Sequence, residues 1–322
     1  MNIFEFKGTP TEMGAQNGKY LKGFFKAPPA SEAKKKFTAQ CIPHIEKYTP
    51  GIIEETDSLA ETIGEDRELM RCFLLTLGLE PGCTVFTLSG NKSLEETPIF
   101  ARNYDWDPSF LQYFHLVKSK PQGKYTNLGF SDVMVGRYGG VNEKGLACAI
   151  TAEPAYTGKP QPGVRMNLAV RWILENHEST SEAIEWLTKV PHQYAHNYLI
   201  ADKTGELARV ESSPEQDKVT TSTEFIHVTN HYLDKEMRKL ENPTFDYSNT
   251  HRRYNTIDKW YQGKDTINLA DVKKVLSTHE NGVCNHGEGF ETIWSWIAPL
   301  GKRYAYVCHG SPCKGKYHKI EF

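Results

Sequence analysis

Up to about residue 82 the polar and apolar positions follow a helical rhythm. Ser31 to Gln40 is rich in Lys, Glu and Ala, and Asp66 to Leu79 carries an apolar stripe of Leu69, Phe73, Leu74 and Leu77. Residues three and four apart share one helix face, so such a stripe predicts a helix with one buried side. The run Gly78-Leu79-Glu80-Pro81-Gly82 then ends it, because Gly accommodates the turn after a helix and Pro cannot continue one. Beyond this point the spacing becomes strand-like. Cys83 to Leu88 reads as a strand, Ser89-Gly90-Asn91 as a turn and Pro98 to Tyr104 as a second strand, together a hairpin with a longer loop. Asp132 to Tyr138 and Gly145 to Thr151 continue the series, with the turn Val141 to Gly145 between them. The last of these is apolar on both faces, as expected of a sheet covered on both sides.

Two amphipathic helices interrupt the strands. Met166, Ala169, Val170 and Ile173 mark the first, and Ala183, Trp186, Leu187 and Val190 the second. Ser179 and Glu182 have the spacing of a capping box before the second. Strands resume at Asn197 to Asp202, Glu206 to Glu211 and Phe225 to Thr229, helices at Tyr254 to Tyr261 and Asn268 to His279, and strands again at Lys302 to Cys308 and Lys316 to Phe322. Strands, a helical pair and strands again fit one α+β core of layered sheets and helices.

Composition narrows the function. The chain of 322 residues balances 38 Lys and Arg against 40 Asp and Glu, which argues against nucleic-acid binding and against a polybasic membrane anchor. No stretch approaches the ~20 apolar residues of a membrane helix. The opening Met1 to Gly8 lacks the basic start and apolar run of a signal peptide, so a soluble, cytoplasmic protein is expected. Seven cysteines are too few and too scattered for a disulfide scaffold, so the thiols are expected to be reduced.

One of those thiols stands at a chemically interesting junction. Cys83 follows the helix stop and opens a strand; alone, such a residue reads as an inert, half-buried thiol. The partner strand ends in Ala101-Arg102-Asn103-Tyr104-Asp105-Trp106, and the hairpin returns Arg102 and Asp105 to the neighbourhood of Cys83. An arginine beside a thiol favours the thiolate, and an aspartate can orient an amine or proton carrier. The plainer reading of the same two residues is a surface ion pair, worth under ~1 kcal/mol.

The ordered motifs favour the chemical reading. Gly8 to Gly18, Gly82-Cys83-Thr84, Arg102 to Trp106, Asn142-Glu-Lys-Gly-Leu146, His196 to Asp202, Thr229-Asn230-His231, Thr292 to Ser295 and His309-Gly310-Ser-Pro312 follow one another along nearly the whole chain. In this order they resemble the cysteine N-terminal-nucleophile (Ntn) hydrolases. The likeness is to the acyl-CoA:6-aminopenicillanic acid acyltransferase-like group, with bile-salt hydrolases and penicillin V acylase as more distant relatives. The resemblance implies a four-layer αββα sandwich of two antiparallel sheets between helix layers. It also implies a precursor cut between Gly82 and Cys83, with residues 1–82 a helical pro-segment that stays packed on a catalytic piece of residues 83–322.

The implied roles follow the chemistry of the residues. Cys83 attacks the Gly82 carbonyl, and Gly82 lets the backbone bend for that attack. The freed α-amine, with a reference pKa of about 8, serves as general base, so Cys83 provides nucleophile and base together. Asp105 holds the amine and Arg102 stabilises the thiolate. Asn197 is the expected oxyanion donor, with Gln193 the alternative if the register shifts and a backbone N–H near Thr151-Ala152 the second donor. Arg253 is the expected second arginine, with Arg252 the alternative. Asn197 alone reads as a strand-end residue, and the Arg252-Arg253 pair as a solvated helix face.

A small-molecule acyl amide is the expected partner, a homo-oligomer is compatible with the sequence, and no cofactor is expected. Hydrolysis through a thioester is the default, because nothing marks a coenzyme A or second-acceptor site; acyl transfer to an amine and ester cleavage on the same site are the alternatives. Substrate contacts are expected from Asp107 to Gln112 and Tyr156 to Gly163. Trp294-Ser-Trp296 reads as core or pocket wall. The rival reading is a zinc-stabilised binding protein using Cys284, His286, Cys308, His309 and Cys313, but these residues lack the usual C-x₂₋₄-C and H-x₃₋₅-H pairs, so no metal site is expected.

Overall fold

The computed structural model describes residues 2–76, 82–131, 135–287 and 289–322. The chain opens with β1 (Asn2–Gly8) and four helices, α1 (Pro10–Leu21), α2 (Glu32–Tyr48), α3 (Ile52–Ile63) and α4 (Arg67–Leu74). A run of strands follows: β2 (Gly82–Leu88), β3 (Ile99–Trp106), β4 (His115–Pro121), β5 (Asn127–Ser131), β6 (Gly139–Asn142) and β7 (Ala147–Ala152). After α5 (Met166–Asn176) and α6 (Thr180–Leu187) come β8 (His196–Ala201), β9 (Leu207–Ser212), β10 (Asp217–Ser222) and β11 (Phe225–Val228). The last third holds α7 (Ser248–Gln262), α8 (Leu269–Leu276), β12 (His286–Gly287), β13 (Phe290–Pro299), β14 (Tyr304–His309) and β15 (His318–Glu321).

Helix starts are set by side chains that satisfy otherwise unpaired N–H groups. Thr9 with Glu12 and Asn268 with Asp271 form reciprocal capping boxes, Asp66 accepts from the Leu69 N–H, and Ser179 accepts from the Glu182 N–H. The strands form an eight-stranded sheet, β1-β4-β5-β6-β7-β8-β9-β10, and a seven-stranded sheet, β11-β2-β3-β13-β14-β15 with β12 on β13. The two sheets face each other through β2 against β7 and β8 and through β11 against β9. Helices α5 and α6 cover the outer face of the first sheet, while α7 and α8 cover the second. The αββα layering is therefore as the resemblance implies.

An aromatic stack fills the space between the sheets. Trp294 and Trp296, two apart on β13, share a face; Trp294 stacks on Tyr104 and Phe114 at 4.4 and 4.5 Å, and Trp296 on Phe130 at 4.7 Å. Each such pair adds about 0.5–1.5 kcal/mol beyond its burial. Both tryptophans are buried, so this segment is core.

Residues 2–76 are more than helical. β1 pairs in parallel with β4 and extends the first sheet, with Phe6 buried beneath it. In α3, Glu55 reaches across to α5, where Arg171 grips it at 2.6 and 2.8 Å and also donates to Glu175 at 2.7 Å. The helix expected from Ser31 runs on through Pro43 to Tyr48. The helix expected from Asp66 ends at Leu74, and its stop at 78–81 lies outside the described residues. Of the strand expected over 132–138, residues 132–134 also lie outside them. Val135 to Tyr138 precede the strand, and the paired segment is Gly139–Asn142. No helix among the described residues is long and apolar enough to cross a membrane.

Candidate active site

The β2–β3 hairpin sets the geometry around Cys83. Cys83 pairs with Tyr104, Gly82 with Asp105 and Val85 with Arg102. Alternation along a strand then separates the functions. Arg102, two residues from Tyr104, shares the face of Cys83 and points between the sheets, whereas Asp105 points toward the helix layer with Gly82 opposite it.

Arg102 donates from Nη2 to Cys83 Sγ at 2.9 Å, and its Nη1 donates to the Tyr138 carbonyl. The guanidinium also lies 5.2 Å from the ring centres of Tyr104 and Trp294, so its charge is held by hydrogen bonds and two aromatic faces. Gly139 leaves room beside it: a Cβ there would sit 3.1 Å from Arg102 Nη1.

A second arginine approaches from α7. Arg253 donates to the Cys83 carbonyl, to Thr84 Oγ1 at 3.0 Å and, through Nη2, to Asn230 Oδ1 at 2.9 Å. Arg252, one residue earlier, is less buried, because neighbouring positions on a helix face different directions. The structure thus distinguishes the two arginines.

Asn230 occupies the centre. Its Oδ1 accepts the Cys83 N–H at 2.7 Å, its Nδ2 donates to the Ala152 carbonyl at 3.0 Å, and its own N–H donates to Thr250 Oγ1 at 2.7 Å. Sequence reasoning placed Asn230 in a motif but assigned it no role; the available signal was that motif, just after a strand. Asp105 is buried beside it, accepting from Thr292 Oγ1 at 2.6 Å and facing Arg253 at 4.0 Å. Gly82 is the first residue of strand β2. What its missing side chain provides is proximity, since a Cβ there would meet Asp105 Cβ at 3.3 Å.

Asn197 and Gln193 sit differently. Asn197 Nδ2 donates to Thr151 Oγ1 at 3.2 Å and to the His231 carbonyl at 3.3 Å, so it lies beside the Asn230–Ala152 contact. Gln193 donates to the Leu75 and Gly163 carbonyls at 2.9 Å each and fastens two chain segments together. The expected substrate segment Asp107–Gln112 forms a short helical turn whose Asp107 accepts from the Ser109 N–H.

Electrostatically the site is closed in the continuous chain. Burial pushes the Cys83 thiol above its ordinary value, although Arg102 pulls it down. Burial likewise raises Asp105 against the opposing charge of Arg253. Arg102 therefore does not by itself make a thiolate here; the desolvated thiol is held next to its positive charge.

Two facing sheets between helix layers, with a cysteine at the start of an inner strand and two buried arginines around it, define the Ntn-hydrolase class. Residues 93–314 match the family model of acyl-coenzyme A:6-aminopenicillanic acid acyl-transferase, and the chain belongs to that family. The match begins beyond Cys83 and therefore does not include that residue. Among solved structures the chain is similar to a single-residue variant of conjugated bile acid hydrolase from Clostridium perfringens, at 18% identity and a TM-score of 0.53, over 74% of this chain and 92% of that one. It is also similar to the Caenorhabditis elegans ortholog of N-acylethanolamine-hydrolyzing acid amidase, at 18% identity and a TM-score of 0.50, over 68% and 93% of the two chains. No curated protein matches the sequence.

Proposed function

We propose that this protein is a self-processing cysteine amidohydrolase that cleaves a small, linear acyl amide. The observation that carries the reading is that Cys83 is held at both functional ends. Its Sγ lies 2.9 Å from Arg102 Nη2 and its backbone nitrogen 2.7 Å from Asn230 Oδ1. That nitrogen is an amide in the continuous chain and becomes a primary amine once the preceding bond is cut.

In processing, Cys83 Sγ adds to the Gly82 carbonyl carbon and the Gly82–Cys83 C–N bond breaks, which leaves a thioester and the free α-amine. Water then hydrolyses the thioester to release the Gly82 carboxylate and the thiol. In turnover the α-amine, with a reference pKa of about 8, takes the Cys83 thiol proton as Sγ attacks the substrate carbonyl. The same ammonium returns the proton to the departing amine, and water completes the cycle. Asn230 and Asp105 orient the α-amine, Arg253 fixes the Asn230 amide and the Cys83 carbonyl, and Arg102 supports the thiolate. Asn197 is the proposed oxyanion donor, its NH₂ lying beside Thr151 and the His231 carbonyl, next to the Asn230–Ala152 contact. Residues 1–82 form the pro-segment and stay bound, their α3 helix held by Arg171. Hydrolysis is proposed over acyl transfer.

The decisive experiment is intact-mass analysis with N-terminal sequencing of the purified protein, beside an amidase screen. Two fragments, the larger beginning at Cys83, are expected for the wild type. Cys83→Ala is expected to give one full-length chain without amidase activity. A Cys83→Ala chain that still cleaves at Gly82 would overturn the assignment.

A further inference from the structure

At the edge of the seven-stranded sheet, four soft ligands converge from separated stretches of chain. His279 follows α8, Cys284 precedes β12, His286 opens β12, and Cys313 lies in the turn between β14 and β15. One ligand atom from each lies within 4.8 Å of all the others. Cys284 Sγ is 3.5 Å from His286 Nε2, which is 3.2 Å from Cys313 Sγ. In a tetrahedral zinc site with Zn–S of about 2.3 Å and Zn–N of about 2.0 Å, ligand atoms stand roughly 3.3–3.8 Å apart.

The other nitrogen of the same ring has a carboxylate beside it: His286 Nδ1 faces Glu291 Oε2 at 3.6 Å. A carboxylate on the far side of a histidine is the usual outer partner of a metal-bound imidazole, because it orients the ring and raises the basicity of the ligating nitrogen. The site also has an entry path, since His279 and His286 are exposed while Cys284 is buried.

We propose that His279, Cys284, His286 and Cys313 bind one zinc ion as a closed Cys₂His₂ structural site. Two thiolates and two imidazoles suit zinc in both softness and geometry. On binding, the two thiols release their protons to water and each neutral imidazole keeps its single N–H, so the site is neutral overall. All four positions are filled by protein, which makes the ion a staple rather than a Lewis acid.

The staple lies close to the candidate active site. Asn285, between the two ligands Cys284 and His286, donates its N–H to Thr292 Oγ1 at 2.8 Å, and Thr292 Oγ1 donates to Asp105 at 2.6 Å. Asn103, also on β3, donates to the Val283 carbonyl at 2.8 Å. The ion therefore locks the β14–β15 turn to the segment that positions Asp105. Its binding is independent of any role of Cys83.

The ligand set differs from the one suggested by the sequence. Cys308 is wholly buried in β14, and the His309 ring packs 6.1 Å from Phe114. The fourth donor is His279 instead, and its x₄ spacing to Cys284 matches neither of the usual ligand pairs.

The test is metal analysis of untagged protein produced in zinc-supplemented medium and then dialysed. About one zinc per chain is expected. Replacing it with cobalt(II) is expected to give the charge-transfer absorption of cobalt–thiolate bonds. Cys284→Ser combined with Cys313→Ser is expected to remove both signals, and His309→Ala to keep both. If that double variant does not fold, the wild-type cobalt spectrum still decides. Wild-type protein without zinc and without a cobalt–thiolate band would overturn the site. So would a Cys284–Cys313 disulfide in metal-free protein, or a folded double variant that keeps its zinc.

Discussion

Asn230 Oδ1 receives both the backbone N–H of Cys83 and the Nη2 of Arg253, at 2.7 and 2.9 Å, and so joins β2, the segment after β11 and helix α7 at one atom. The oxygen is aimed at the backbone nitrogen that would become an α-amine in the proposed processing. Asn230→Ala is expected to slow both processing and turnover by about 10²-fold or more, the scale of a lost positioned proton carrier. Asn230→Asp keeps an acceptor there and is expected to process faster than the alanine variant. The fraction of uncut chain against time, read on denaturing gels, measures both. Equal rates for wild type and Asn230→Ala would remove Asn230 from the mechanism.

Arg102 opposes the burial that raises the Cys83 thiol. Taking away its charge leaves burial unopposed, so the thiol moves further up and the reactive thiolate forms at higher pH. Arg102→Gln is expected to shift the acid limb of kcat/KM upward by about 1–3 pH units. An unshifted limb with a lower plateau would mean that Arg102 acts by packing alone.

Arg171 bridges Glu55 of α3 and Glu175 of α5, all three buried. Removing the cation strands two carboxylates in the interior, which costs about 3–5 kcal/mol. Wild-type fragments are expected to co-elute after processing, whereas Arg171→Ala is expected to release residues 1–82 on size exclusion. Co-elution in the variant would show that β1 and the helical packing hold the segment without the ion pairs.

Glu175 adds an acid limit to that network. Burial alone would raise it, but Arg171 and Lys124 outweigh burial and hold it below the usual carboxylate range. A depressed carboxyl stabilises the fold above its unfolded pKa of about 4.3, and the contribution disappears as pH falls through the lower folded value. Glu175→Gln is therefore expected to reduce the fall in Tm below about pH 4 relative to wild type. Parallel Tm curves through that range would assign the acid loss elsewhere.

Glu153 works in the opposite direction. Burial, with the charge of Glu241 adding, pushes its carboxyl up to about 8, while Tyr247 Oη donates to it at 2.8 Å. A carboxyl raised in the folded state costs stability as pH climbs from about 4.3 toward that value. Tm is expected to decline across this window in the wild type and to be flatter in Glu153→Gln, which is expected to have the higher Tm at pH 8. Identical slopes would mean that Glu153 is ionised throughout.

The amino-acid sequence by itself determined what depends on neighbours in the chain. Helical spacing yields to period-two spacing near residue 82, and the hairpin that follows returns Arg102 and Asp105 to Cys83, because antiparallel pairing aligns residues symmetrically about a turn. Capping pairs such as Ser179 with Glu182 are equally local. Strands β1 and β13 were not legible, since their partners β4 and β3 are far away in sequence and pairing, not propensity, defines them. The choice of Arg253 over Arg252 needed α7 docked on its sheet, because one step along a helix turns a side chain by about 100°. Asn230 is bonded to Cys83 across 147 positions, and His279 joins the zinc ligands only when the loop after α8 meets the β14–β15 turn. Such contacts arise from packing layers together, and no periodicity in the chain encodes them.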